Sequence, residues 1–234
     1  MVRDNLASGS GGGVHLYSGE PRLIGCTIAG NGAFSGGGGV QVHGGDPTLT
    51  SCTISGNYGP DAGGIATSGY SYVTVERSII GFSLSSPGVS CATADAFTVT
   101  CADIFGNEGG DWIACIADQA GTNGNFSADP GFCDATAYDF RIPRDSPCAD
   151  APGCGLMGSQ PAACGVRTFT VCPDGSADFL TIQAALNFAA DGDTIELCDH
   201  VYVGPGNRDL DYLGRDVIVR SRSGNPAACV IDCQ

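Results

Sequence analysis

Lysine is absent from the 234 residues, glutamate occurs four times and tryptophan once. Glu and Lys favour helices, so their scarcity beside 21 Asp and 37 Gly argues against a largely helical protein and describes a chain of many tight turns. Only ten arginines balance the acids, and a formal charge of −15 repels phosphate backbones and anionic lipid surfaces. Nucleic acid is therefore set aside as a partner, while calcium and neutral sugars stay open. No stretch approaches the roughly 18 apolar residues of a membrane-spanning helix, so no membrane insertion is expected. The opening MVRDNLASGSGGG has neither the basic nor the apolar region of a secretory signal. Export would then rely on a segment outside this sequence, and the chain is expected to be a mature form or a piece of a longer precursor.

Cysteine is abundant instead. None of the 13 falls in the CxxC spacing of a zinc site. Oxidised bridges are the better explanation, which places the protein outside the cell or on its surface. Local spacing suggests Cys91 with Cys101, Cys133 with Cys148 and Cys154 with Cys164, and an odd total leaves one thiol unpaired or paired with another chain.

A repeat decides the fold class. GGGVHLYSGEPRLIGCTIAGN, from Gly11, returns as GGGVQVHGGDPTLTSCTISGN, from Gly37, with Val14 and Val40, Cys26 and Cys52, and Asn31 and Asn57 each 26 residues apart. A degenerate copy runs from Gly63 through VTVERSIIGFS, with Ser78 where the cysteines stood, and a fourth is FTVTCADIFGN. Ile28, Ile54, Ile80 and Ile104 form the firmest thread. Short β-branched runs broken by glycine turns are coils of a solenoid, not helical repeats. Equivalent residues then lie about 4.8 Å apart, so isoleucine stacks on isoleucine inside. At the turn Asn stacks on Asn, bonds the next coil's backbone and tolerates a left-handed conformation. Cys26 above Cys52 is equally compatible with a bridge and with stacked thiols.

Three segments follow. Residues 1–112 hold about four coils of a 23–26-residue repeat. Residues 113–165, rich in Pro, Gly, Asp and Cys, read as a terminal cap and linker that covers the last coil's edge, with a strand candidate at Tyr138 to Ile142. Residues 166–234 start anew as strand, helix and strands. One short capping α-helix is expected near residues 181–190. It presents Ile182, Ala185, Leu186 and Ala189 on one face, starts at Thr181 or Asp178 and is ended by Gly192.

With these segments in hand, both halves resemble the right-handed parallel β-helix proteins of the pectin lyase-like superfamily. SADFLTIQAALNFAADGDTIELCDHVYVG is similar to that family's amino-terminal cap, and DPGFCDATAYDFRIPRDSPCADAPGCGLMG to its carboxy-terminal ending. The resemblance implies an all-β fold, a right-handed parallel β-helix. The two pieces stand in the reverse of the usual order. Residues 166–234 would accordingly stack on residues 1–30 of another chain, giving a head-to-tail fibre of copies, or on those of the same chain.

The superfamily includes enzymes on acidic polysaccharides, but their adjacent Asp pairs and Gly-His-Gly are absent here. No arginine recurs beside an Asp ladder. Glu20 and Asp46, each before a proline at the same repeat position, could form a carboxylate pair at roughly 5 Å. Ordinary turn chemistry explains both. Asp191 and Asp193, or Asp209, Asp211 and Asp216, could hold calcium, although solvated turns account for them. His15, His43 and His200 sit at unrelated repeat positions. Tyr17, Tyr58, Tyr70 and Tyr72 could line a sugar-stacking surface. Asn125, in Asn-Phe-Ser, is the single glycosylation sequon. No catalytic, cofactor or metal residue is assigned, and no cofactor is expected unless calcium lies between chains. The function expected is a structural extracellular β-helix, with a carbohydrate-binding or adhesin solenoid as the alternative and a polysaccharide lyase or hydrolase as the third.

Overall fold

The computed structural model of the chain describes residues 1–84, 86–92, 96–164, 167–190 and 192–233. Two compact units divide it, residues 1–164 and 165–234.

In the first unit, the short β-branched runs form the strands and the glycine-rich stretches the corners. The first coil contains β1 (Val2–Arg3), β2 (Leu6–Ala7), β3 (Val14–Tyr17) and β4 (Arg22–Ile24), and the second β5 (Thr27–Ala29), β6 (Gly32–Ala33), β7 (Val40–Gly45) and β8 (Thr48–Thr50). The third has β9 (Thr53–Ser55) and the long β10 (Ile65–Glu76). The fourth has β11 (Ile79–Gly81), β12 (Val89–Ser90) and β13 (Ala96–Thr100), and β14 (Asp103–Phe105) opens a fifth. All these strands pair in parallel, and the unit is a right-handed β-helix. Ile28 pairs with Ile54, Ile54 with Ile80 and Ile80 with Ile104, each no more than 1% exposed. Val2 heads this column one rung earlier than the repeat comparison reached.

Two corners carry the winding. In one, Gly30, Gly56, Phe82 and Gly106 take φ of 64°, 62°, 58° and 71°. The left-handed residue is thus the one before each asparagine, not the asparagine itself. That frees the Asn side chain for the ladder: Asn57 Oδ1 accepts from Asn31 N at 2.8 Å, and Asn57 Nδ2 donates to Ile28 O at 2.9 Å. Asn5 continues the ladder below, and Ser83 N donates to Asn107 Oδ1 above. The other corner has Gly25, Ser51, Arg77 and Cys101 at positive φ, followed by the column Cys26, Cys52, Ser78, Ala102.

The segment after the coils departs from the expected cap. Only its first part closes the end. Ile116 is buried in the core, Asp111 Oδ1 accepts from Asn107 N at 2.9 Å to finish the ladder, and the Gln119 amide bonds Val99 N and Phe97 O as a further strand would. Residues 127–164, too rich in Pro and Gly to add a strand, run back along the outside as a strap. Ala128 N donates to Asp103 Oδ1, Gly158 N to Arg77 O and Ser159 N to Thr53 Oγ1, and the hydroxyl of Ser159 meets that of Thr27. The strap covers the outward column Thr27, Thr53, Ile79 and Asp103, so β5, β9 and β11 are buried on both faces. Tyr138 to Ile142 is not a strand but part of this strap, held by isolated bridges.

The second unit has β15 (Thr168–Val171), α1 (Ile182–Phe188), β16 (Thr194–Leu197), β17 (Val201–Tyr202), β18 (Ile218–Ser221) and β19 (Val230–Ile231). β15, β16 and β18 are parallel, with Phe169, Ile195 and Val219 in one column. The expected helix face is the buried one: Ile182, Ala185, Leu186 and Ala189 are at most 1% exposed. Thr181 caps the start by accepting from Ala184 N. The helix stops at Ala189 rather than at Gly192, because the Asp193 carboxylate takes Ala190 N at 2.9 Å and draws the chain out of the helix.

Bridges join Cys91 to Cys115, Cys101 to Cys154, Cys133 to Cys164 and Cys172 to Cys198. None of the three local pairings forms, because coil closure and the returning strap bring distant cysteines together. Five thiols stay free rather than one: Cys26, Cys52, Cys148, Cys229 and Cys233.

Candidate functional site

Alternation along β3 and β7 turns Val14, Leu16, Val40 and Val42 inward and leaves His15 and Tyr17 outside. Register then places Tyr17 beside His43 and His43 beside Ser68 on consecutive coils. The Tyr17 and His43 rings stack at 4.8 Å with 18° between planes, and His43 Nδ1 lies 3.0 Å from Ser68 Oγ. His15 is 6.3 Å from Tyr17 on the same strand face. Comparing repeats alone separates His15 from His43. Strand alternation, added to the repeat, brings both to the Tyr17 face.

Just past Ser68 the register of β10 on β7 shifts, with Ser68 opposite His43 but Ser71 opposite Gly45. The extra residue is Tyr70, at φ 63° and 74% exposed. Bulges re-aim side chains in this way and recur at functional surfaces. Beyond it, Glu20, Asp46 and Tyr72 share one column, the offset of 26 fixed by Arg22 on Thr48 and Thr48 on Thr74. Tyr72 therefore stands in line with two carboxylates on the outer face, while Tyr17 precedes them across the turn of Ser18 and Gly19 and Tyr70 sits in the bulge. Tyr58 belongs to a different column, between Gly32 and Leu84.

The other sequence candidates have structural places. Glu20 and Asp46 are exposed on consecutive coils and line none of the grooves described here. Asp193 is 1% exposed and accepts from Arg167 N and Ala190 N, which makes it a brace of the second unit. Asp211 Oδ1 accepts from Leu213 N in a turn. Asp191 lies outside the described residues. Among the described residues no group of three or more His, Cys, Asp or Glu is placed to hold a metal ion. His200 is exposed in the second unit. Asn125 is 3% exposed, accepts from Ala102 N at 3.0 Å and donates to Val99 O at 2.8 Å, so it braces the end cap instead of presenting a glycan site.

Two further features have no repeat in the sequence to announce them. A groove of about 270 Å³ between strap and coils is lined by Ala29, Gly30, Phe82, Leu84, Tyr138 and Phe140, and the Tyr138 hydroxyl donates to Asp4 at its rim. Asp103 is fully buried, and desolvation lifts its carboxyl to about 7. A charge standing in the column of Thr27, Thr53 and Ile79 was the signal for it.

A sequence profile describing a right handed beta helix region matches residues 1–126. No curated protein and no solved structure matches the chain.

Proposed function

Because the chain belongs to the right handed beta helix family, in which each coil is completed only by the next, we propose that it is a structural extracellular protein whose solenoid is continued by a neighbouring copy. The contrast between the ends of unit 1 carries this reading. At the far end Gln119 and Asp111 occupy the backbone groups that a further coil would use. At the near end, among the described residues, β1, β2, β3 and β4 each pair within the unit on one side only, and such edges template strand addition. In the second unit a groove of about 500 Å³, lined by Leu197, Val219, Cys229 and Ile231, leaves apolar interior open. A head-to-tail contact that does not close grows into a filament. Four disulfides support a role outside the cell. Light scattering and negative-stain imaging of the purified chain, with and without calcium, should show particles that lengthen with concentration. A compact monomer at every concentration overturns the proposal.

A second reading rests on the outer face of β3, β7 and β10. Exposed tyrosines at a bulge, flanked by the carboxylates of Glu20 and Asp46, suit a neutral saccharide, with rings for its apolar face and oxygens for its hydroxyls. Binding on a glycan array should weaken at least tenfold on Tyr17→Ala or Tyr70→Ala and persist on Tyr58→Ala. Equal loss in all three variants counts against it.

A further inference from the structure

We propose that Cys26 and Cys52 form a coil-to-coil dithiol that small disulfides oxidise to an intramolecular bridge. The proposal does not rest on the function proposed above; because the coil that holds Cys26 is the one a neighbouring copy would cover, the reaction is followed on the unassembled chain. On one flank Ile24 pairs with Thr50 and on the other Thr27 pairs with Thr53, so the two cysteines are held one strand spacing apart. Cys26 Sγ lies 3.5 Å from Ile24 O, and Cys52 Sγ lies 3.4 Å from both Thr50 O, on its own coil, and Leu23 O, on the coil of Cys26, so the Cys52 sulfur sits between the two cysteine segments. The second unit shows the outcome of this arrangement. Cys172 and Cys198, also 26 residues apart and flanked by the paired Val171 and Leu197, are bridged at a Cα separation of 5.4 Å.

Access sets the order of events. Cys52 is completely buried, and its thiol is pushed up to about 11 by that burial. Cys26 is only half-buried and meets the oxidant first. Its thiolate attacks one sulfur of a small disulfide such as oxidised glutathione, forming a mixed disulfide and expelling one thiolate. Cys52 then gives up its proton and attacks the Cys26 sulfur, expelling the second. Two protein thiols are oxidised to one disulfide while the small disulfide is reduced to two thiols, which take up the two protons. Strand pairing holds the sulfurs together, so no backbone rearrangement is needed.

The arginines make this directly readable. Trypsin cleavage after Arg22 and Arg77 releases residues 23–77, which contain Cys26 and Cys52 and no other cysteine. The intact chain is incubated with oxidised glutathione over a time course, denatured, alkylated without reduction and digested. The expected result is a transient glutathione adduct on this peptide, followed by loss of both alkylation sites and of two hydrogens in mass, with this peptide linked to no other. Cys52→Ala should stop at the adduct on Cys26. Wild-type peptide that keeps both alkylation sites, an adduct that never resolves, or this peptide bridged to another peptide overturns the proposal, whether or not the variant folds.

Discussion

The Cys148 thiol donates to the Asp103 carboxylate at 3.2 Å in the seam between the strap and β14, and neither residue is exposed. This contact joins the middle of the strap to the last rung of the ladder. Burial also pushes the Cys148 thiol well above its ordinary range. The pair is therefore a neutral latch when Asp103 holds its proton and a buried charge when it does not.

Stability should follow that proton. Burial lifts the Asp103 carboxyl to about 7 in the fold, against the partial compensation of the Ala128 N–H and the Cys148 thiol. In the unfolded chain it ionises near 3.9. The folded state holds the proton more tightly, so this group's contribution is most favourable below about pH 4, declines as pH rises to about 7 and is level above. Linkage puts the full decline on the order of 4 kcal/mol. Denaturant titrations of wild type and Asp103→Asn between pH 4 and 8 should diverge in that sense, the variant gaining relative stability as pH rises.

The asparagine ladder should be costly to interrupt. Asn57→Ala removes the acceptor for Asn31 N and the donor to Ile28 O, both buried. Leaving these groups without partners costs about 3 kcal/mol. The midpoint of chemical unfolding should fall accordingly, and the amide of Asn31 should exchange faster.

Truncation in the stacked core should separate sharply from truncation outside it. Ile54→Ala opens a cavity between Ile28 and Ile80 and should cost about 3 kcal/mol, while Ile54→Val should cost about 1. Ile24, 67% exposed on β4, should tolerate alanine within about 0.5 kcal/mol. Thermal unfolding of the three variants checks the ranking.

The sequon should stay bare in the folded protein. Asn125 is wrapped in three hydrogen bonds of the end cap. Material secreted from a eukaryotic host should run at the same mass with and without glycosidase, and Asn125→Gln should lower stability by about 2 kcal/mol instead of removing a glycan. A glycosylated, fully stable product contradicts this.

How far the residues disclosed all this depends on which direction of packing carries the signal. Stacking between coils acts on identical positions, so Ile28 through Ile104, Asn31 through Asn107 and the helix face of Ile182 to Ala189 are legible from spacing alone. The strap is different. Its contacts join residues such as Thr27 and Ser159, 132 positions apart, through a segment with no repeat. Small outward residues at Thr27, Ala29, Thr53 and Ser55 leave room for it, but nothing periodic names what fills the room. Cysteine pairing failed for the same reason, since Cys101 and Cys154 meet only once the strap has turned back. The surface around Tyr17 and His43 needed both periods at once, 26 residues between coils and two along a strand.

The strap also fixes how many coils this unit can have. An unbraced stack tolerates duplication or loss of one repeat, since each rung meets only its neighbours. Here Ser159 meets Thr27 and Thr53 while Cys148, eleven residues earlier, meets Asp103, so the strap gauges the distance between rungs. An added coil would carry the far contacts about 4.8 Å out of step. Lineages of this chain should accordingly vary in loop length within a coil far more readily than in coil number, and the unit should melt as a single block where an unstrapped stack would fray from its tip.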